Sequence, residues 1–367
     1  MSIAAVENDW RDSLRIRFRE AAGQPLRSPR TASFRFGDAV VNVVSDFEPL
    51  LEELDAFYGD CADSKFPGAA CHLRFTATLL RGSQLLALSF DGARFQDLLD
   101  IALGPYRFLR RQPCVVAAGP GPGWRVLLNA NTPSIFLVAS DTRIALINLA
   151  EAPPEFVTDC IVSVAQSAQS GVLFLHAASV GINGAGALLL GASQAGKSTN
   201  ALALAWRGHA FLGDDMAAVR LATREVLPFA KSAGLREGPL AQMLGARVQA
   251  CRHVRTPGRD GILRNVLRVS DLFPGSGSGP LPLRFAFVLD GLKDTARISP
   301  LKPGYADLMR LRSMVVIDTN PAWGRSPGRD LMQLLTVLDL LSELRCYLVE
   351  LGSTEETASL IENAMRA

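Results

Sequence analysis

The stretch LLLGASQAGKSTNALALAWRGHAFLGDD, residues 188–215, begins as an apolar run, passes through a glycine turn, continues with apolar residues at helical spacing and stops on two aspartates. Within it Gly191-Ala192-Ser193-Gln194-Ala195-Gly196-Lys197-Ser198 fits G-x-x-x-x-G-K-[ST], with a strand-like GALLL before it and a helix-like STNALALAW after it. That setting is what the motif's chemistry needs. Glycines allow backbone angles that point successive N–H groups inward at the start of a helix, where unpaired donors hold phosphate oxygens. The reading places a polyphosphate over Gly191–Thr199, with Lys197 reaching the β- and γ-phosphates, Ser198 offering its hydroxyl to Mg²⁺ and Thr199 beside it as a cap or phosphate donor.

The aspartates add chemistry to such a cradle. Arg207-Gly208 should end the helix near Trp206, and HAFLG should form a strand with Asp214 and Asp215 at its exit. If that strand lies parallel beside LLL, its carboxyl end shares an edge with the phosphate loop, where open α/β sheets bind ligands. One carboxylate then suits a metal, and the other suits accepting a proton from an attacking hydroxyl. The rival reading of the Asp-Asp pair is a turn or helix cap. His176 ends the run GVLFLH, and HAASVGINGAGALLL reads as a hairpin returning to the loop strand, which brings that imidazole toward the loop. Lys231, Arg236, Arg255, Arg259 and Arg264 come after the acids, and Lys231 or Arg236 is the favoured cation for the transferring group.

A chain of 367 residues that is 48% hydrophobic can bury two ordinary cores. Residues 1–150 read as an α+β unit, with strands in SFRFGDAVVNVVSD, HLRFTATLL and SIFLVASDTRIALINL and helices in FEPLLEELDAFY and FQDLLDIAL. Residues 151–367 read as the nucleotide-binding unit. It is entered by the helix PEFVTDCIVSVAQSA, interrupted by the Gly/Ser/Pro stretch at 273–282, and closed by the helices YADLMRLRSM, DLMQLLTVLDLLSEL and TEETASLIENAM, the last capped by Ser353 or Thr354. The expected fold is therefore α/β, a central sheet flanked by helices, preceded by a smaller α+β domain. A net charge of +2 without long runs of one sign argues against nucleic acid as a partner. The absence of a secretory pattern at the start and of any long apolar run predicts a cytoplasmic chain without a membrane partner. Six cysteines lie far apart without a CxxC pair, which disfavours a zinc site.

Taken together, LFLHAASV, GALLLGASQAGKST and RGHAFLGDD resemble the HPr kinase/phosphorylase group, especially its shorter HPr-kinase-related members, in residue order and in spacing. Weaker similarity runs through VLPFAKSAGLREGPL, PLRFAFVLDGLKDTARISPL and YLVELGSTEETASLIENAM, so that it covers roughly residues 165–365. The resemblance implies a domain that moves the γ-phosphoryl group of ATP to a serine hydroxyl on a protein or peptide. It implies Asp214 as general base, Asp215 and Ser198 as magnesium ligands, Lys197 as phosphate clamp and His176 as the residue orienting Asp214. It also makes a ribosomally made peptide a plausible acceptor, while residues 1–150 do not resemble the amino-terminal domain of the full-length enzymes, so that their hexamer is not implied and a homo-oligomer is only a possible state. The glycine-arginine-asparagine signature tied to the reverse reaction in the full-length enzymes is not found after Asp215, where PGRDGILRNV is the nearest match. From a different class, an ATPase switch would use the same loop with an aspartate orienting water.

Overall fold

The structure is a computed structural model. It describes residues 28–45, 48–66, 73–80, 85–89, 108–111, 114–118, 124–129, 134–139, 145–148, scattered positions at 162–169, and 171–367 apart from 236–237, 252, 258–262 and 305–326. The boundary expected near residue 150, the helices FQDLLDIAL and YADLMRLRSM, and most of PEFVTDCIVSVAQSA lie outside the described residues.

Two nine-stranded sheets organise what is described. The first contains β1 (Arg30–Phe36), β2 (Ala39–Ser45), β3 (Leu73–Leu80), β4 (Leu85–Ser89), β5 (Phe108–Arg111), β6 (Cys114–Ala118), β7 (Trp124–Asn129), β8 (Ser134–Ala139) and β9 (Ala145–Asn148). Their order is β1-β2-β3-β4-β9-β8-β7-β6-β5. All neighbours are antiparallel except β2 and β3, whose parallel pairing requires a crossover that α1 (Glu48–Tyr58) lies on. α1 buries Leu50, Leu54, Phe57 and Tyr58, the face expected from its helical spacing. The strands β4 to β7 were not among those the sequence suggested, so this half is richer in strand than the α+β expectation.

The second sheet holds β10 (Val172–Leu175), β11 (Ala178–Ile182), β12 (Ala185–Leu190), β13 (Ala210–Gly213), β14 (Ala217–Arg220), β15 (Glu225–Leu227), then, after a small sheet, β19 (Leu281–Leu292), β20 (Arg297–Leu301) and β21 (Arg345–Leu351). The small sheet is β16 (Ala233–Leu235), β17 (His253–Pro257) and β18 (Leu263–Leu267), ordered β16-β18-β17. In the large sheet the order is β10-β14-β15-β19-β12-β11-β13, with β21 also on β19 and β20 on β21. It is mostly antiparallel, with parallel pairing only for β12/β19 and β19/β21. The result is a mixed α/β fold with a central sheet and flanking helices.

The run LLL sits at the centre because helices cover both of its faces. Ala187 and Leu189 face a core shared with α2 (Lys197–Trp206) and α6 (Thr354–Arg366). Leu188 and Leu190 face the opposite core, which contains Val337, Leu340 and Leu341 of α5 (Pro327–Ser342). A strand buried on both sides reads as a continuous apolar run, which is how it stands in the sequence. α3 (Pro239–Ala250) and α4 (Val269–Leu272) accompany the small sheet.

Two expectations change in detail. β13 does not lie beside β12: it pairs antiparallel with β11, which pairs antiparallel with β12. β13 therefore points the same way as β12 from one strand further out, and its exit still reaches the edge that carries the loop following β12. The Gly/Ser/Pro stretch 273–282, read from its composition as an interruption, is seated against β13: the Phe211 N–H donates to Ser276 O at 2.8 Å, and Ser276 is buried. Its glycines disguise this, since composition alone cannot show that one carbonyl completes a strand edge.

Candidate active site

The loop after β12 closes by an Ala195 N–H bond to Ala192 O at 3.1 Å. Gln194 at φ 68° and Gly196 at φ 84° both take left-handed angles. Gly191 has no room for a side chain, because a Cβ there would stand 2.9 Å from the Ala195 Cβ. Gly196 occupies the N-cap of α2 without a side-chain cap, so the first amides of the helix keep no side-chain acceptor. That arrangement suits an anion. Ala192, Ser193 and Gln194 are exposed, Ala195, Gly196, Ser198 and Thr199 half-buried, and Lys197 buried.

Lys197 Nζ donates to Gly191 O and Ala192 O, each at 2.9 Å. Burial pushes the Lys197 ammonium below its usual pKa, and the charges of Asp215 and Asp214 oppose that shift. Asn200, which the sequence reading passed over, is buried and donates its side-chain amide to Gly196 O at 2.9 Å. Its signal was its place one helical turn after Gly196.

At the exit of β13 the two acids occupy different environments. Asp214 is buried and accepts from Ser198 Oγ at 2.8 Å and from the Asp215 N–H at 2.8 Å. Burial, aided by the neighbouring Asp215 charge, pushes the Asp214 carboxyl up to about 6, against the opposing bonds from Ser198 and Asp215 and the charge of Lys197. Asp215 takes φ 63° and leaves 67% of its side chain exposed. His176 comes directly after β10 and donates from Nδ1 to Asp215 O at 3.1 Å, with Asp215 Oδ1 3.8 Å away. The structure thus brings Lys197, Ser198, Asp214, Asp215 and His176 to one edge of the sheet. Ser198 touches Asp214, while His176 touches Asp215.

Of the downstream cations, two are described and three are not. Lys231 Nζ stands 5.8 Å from the ring centroids of both Phe57 and Tyr58 on α1. Arg264 lies on β18 of the small sheet. Arg236, Arg259 and the side chain of Arg255 lie outside the described residues.

Among the described residues no group of three or more His, Cys, Asp and Glu gathers as a metal site. The local donor set is one hydroxyl and one or two carboxylates beside a phosphate cradle, which fits a magnesium ion that keeps waters and phosphate oxygens as its remaining ligands. No described helix is long and apolar enough to cross a membrane.

Compared with protein-family profiles and with curated proteins, the chain matches none. Among solved structures 49 chains match. One is the Hpr(Ser) kinase/phosphatase from Coxiella burnetii, 18% identical over 53% of this chain and 93% of that one, with a TM-score of 0.26. A likeness of that size carries no functional weight, which leaves the geometry of the site to decide the chemistry.

Proposed function

We propose that this chain is an ATP- and magnesium-dependent kinase that transfers the γ-phosphoryl group to a serine hydroxyl of a protein or peptide. The observation that carries the reading is the Ser198–Asp214 hydrogen bond, which joins the phosphate loop directly to the acid pair. A nucleotide held by the loop amides and Lys197 would present its terminal phosphate beside two carboxylates in unlike settings. Phosphoryl transfer asks for that division: one acid for the metal, and one for the acceptor's proton. Magnesium, when bound, would neutralise charge on the phosphates. In the assignment that the family resemblance implies, Asp214 is the base and Ser198 and Asp215 hold the metal. The buried position of Asp214 and its raised pKa support that role, since a base works best when its pKa approaches the working pH.

A second assignment within the same reaction is favoured by one contact. Because Ser198 bonds to Asp214 and not to Asp215, a metal on the Ser198 hydroxyl would meet Asp214 first. The exposed Asp215, its carbonyl fixed by His176, would then face the acceptor. Both assignments are tested by Asp214→Asn and Asp215→Asn, assayed with γ-labelled ATP and serine-containing peptides over a magnesium titration. The base variant should bind ATP yet transfer about 10²- to 10⁴-fold more slowly at all magnesium levels. The metal variant should recover part of its rate at high magnesium. Label released only to water, with no hydroxyl acceptor found, would replace the kinase with an ATPase switch.

A further inference from the structure

Phe229 lies two residues beyond β15 and is buried to 1% exposure. Its main chain is fitted to the residues that deliver Asp214. The Phe229 N–H donates to Leu212 O at 2.6 Å, and Phe229 bridges to Gly213 in parallel register. The Phe229 carbonyl oxygen stands 2.9 Å from where a Cβ on Gly213 would lie, so nothing larger than hydrogen fits between them. Its ring faces the other side of the site: the Phe174 ring, two residues before His176, lies 6.1 Å away. One residue therefore touches both the strand that ends at His176 and the strand that ends at Asp214.

The same ring meets the amino-terminal sheet. Phe36 of β1 lies 5.6 Å from Phe229 and edge-on to Tyr58 of α1 at 5.3 Å. Gln169 clamps the β1–β2 turn by accepting from the Asp38 N–H at 2.7 Å and donating to Phe36 O at 2.8 Å. Three residues past Phe229, Ser232 donates its N–H to Phe57 O at 2.7 Å and its hydroxyl to Ala56 O at 2.6 Å. Residues 229–232 are thus held by β1 and α1 on one side, and on the other Phe229 abuts Leu212 and Gly213, the two residues that precede the acid pair.

We propose that Phe229 is a positioning residue through which β1 and α1 set the placement of His176 relative to Asp214 and Asp215. It rests on the phosphotransfer reading of those three residues. Phe229 acts on them through Gly213 and Phe174. Close-packed interiors transmit small volume changes, and a misplacement of about 1 Å at reacting groups can cost roughly 10² in rate.

The test compares Phe36→Leu and Phe229→Leu with Phe285→Leu, a buried control on β19 stacked on Phe287. Phe36 belongs to β1, outside the strands that carry the acids, so its variant stays informative if Phe229→Leu fails to fold. Two readouts are taken. In phosphotransfer, Phe36→Leu should lower kcat by about tenfold or more while ATP Kd stays within about twofold, and Phe285→Leu should leave kcat unchanged. In imidazole proton spectra, where the chain offers four histidines, Phe36→Leu should move the His176 signals and leave those of His209 in place. An unshifted His176 in the folded Phe36→Leu protein overturns the proposal, as does a kcat loss equal to that of the control. If the unmutated protein transfers no phosphate, the functional reading falls, and the His176 spectrum still decides this one.

Discussion

Lys197 and Gly213 show how single residues hold the site. Lys197 Nζ donates hydrogen bonds to Gly191 O and Ala192 O, which holds its ammonium against the loop. Lys197→Ala should therefore leave the melting temperature close to that of the parent while ATP binding, followed by calorimetry, is lost or greatly weakened. Gly213→Ala makes the opposite point. A Cβ there would stand 2.7 Å from Met216 O and 2.9 Å from Phe229 O, both backbone atoms that cannot swing aside. Such overpacking costs about 1–3 kcal/mol, and it should displace Asp214 and slow transfer. Gly171→Ala, where no atom lies within 4 Å, should do neither in parallel urea titrations. Gly191, Gly196, Lys197 and Ser198 were legible in the sequence because the motif fixes those four positions. Phe229 was not, since its role comes from what folds against it and an isolated phenylalanine in VLPFAKS carries no local mark of it, whereas Asn200 was marked only by its place one helical turn after Gly196.

Among the elements, α2 and α6 are joined where the first ends. Glu362 of α6 is buried and accepts from Arg207 Nε at 2.9 Å, His209 Nε2 lies 3.1 Å from its other oxygen, and Arg366 pairs with it one turn on. Burial pushes its carboxyl up, but the bonds from Arg207 and His209 outweigh this and hold it below the ordinary value. A carboxylate whose folded pKa is depressed contributes stability that is full above its unfolded pKa of about 4.3 and is lost as pH falls through the folded value. Arg207 is 34% exposed and Arg366 54% exposed, so solvent weakens the cluster. Glu362→Gln should cost about 1–2 kcal/mol at pH 7, and the deficit should shrink toward pH 3 in denaturant titrations at the two pH values. The periodicities of these helices were readable, and so was the cap of α6, where Ser353, one of the two candidates, makes a capping box with Glu356; the cap of α2 is Gly196 and not Thr199. The partners of Glu362 were not, being 155 residues away in the case of Arg207. The same limit explains β13, whose direction was foreseen but not the hairpin strand that separates it from β12, because sequence order does not fix the order of strands in a sheet.

At the scale of the whole molecule, polar ties join residues 30–66 to the half built on the second sheet at several points. Arg220 of β14 binds the buried Asp38 through Nε at 2.9 Å and also pairs with Glu225. Arg268 donates to Asp55 O at 3.2 Å, and the Ser270 N–H donates to Asp60 at 3.1 Å. Removing one member of a buried ion pair strands the other, and Arg220 keeps only Glu225 in that event, so Asp38→Ala should cost about 2–4 kcal/mol. If these ties hold the halves as one cooperative unit, the near-ultraviolet and far-ultraviolet melts of Asp38→Ala should fall together in a single transition. Separate transitions would mean that the halves unfold independently. A last consequence lies at the outer end of the second sheet, where the Phe211 N–H is spent on Ser276 O and not left to solvent. An open strand margin is a template on which another copy can pair, and here the Ser276 carbonyl takes one of the donors that such pairing along β13 would use.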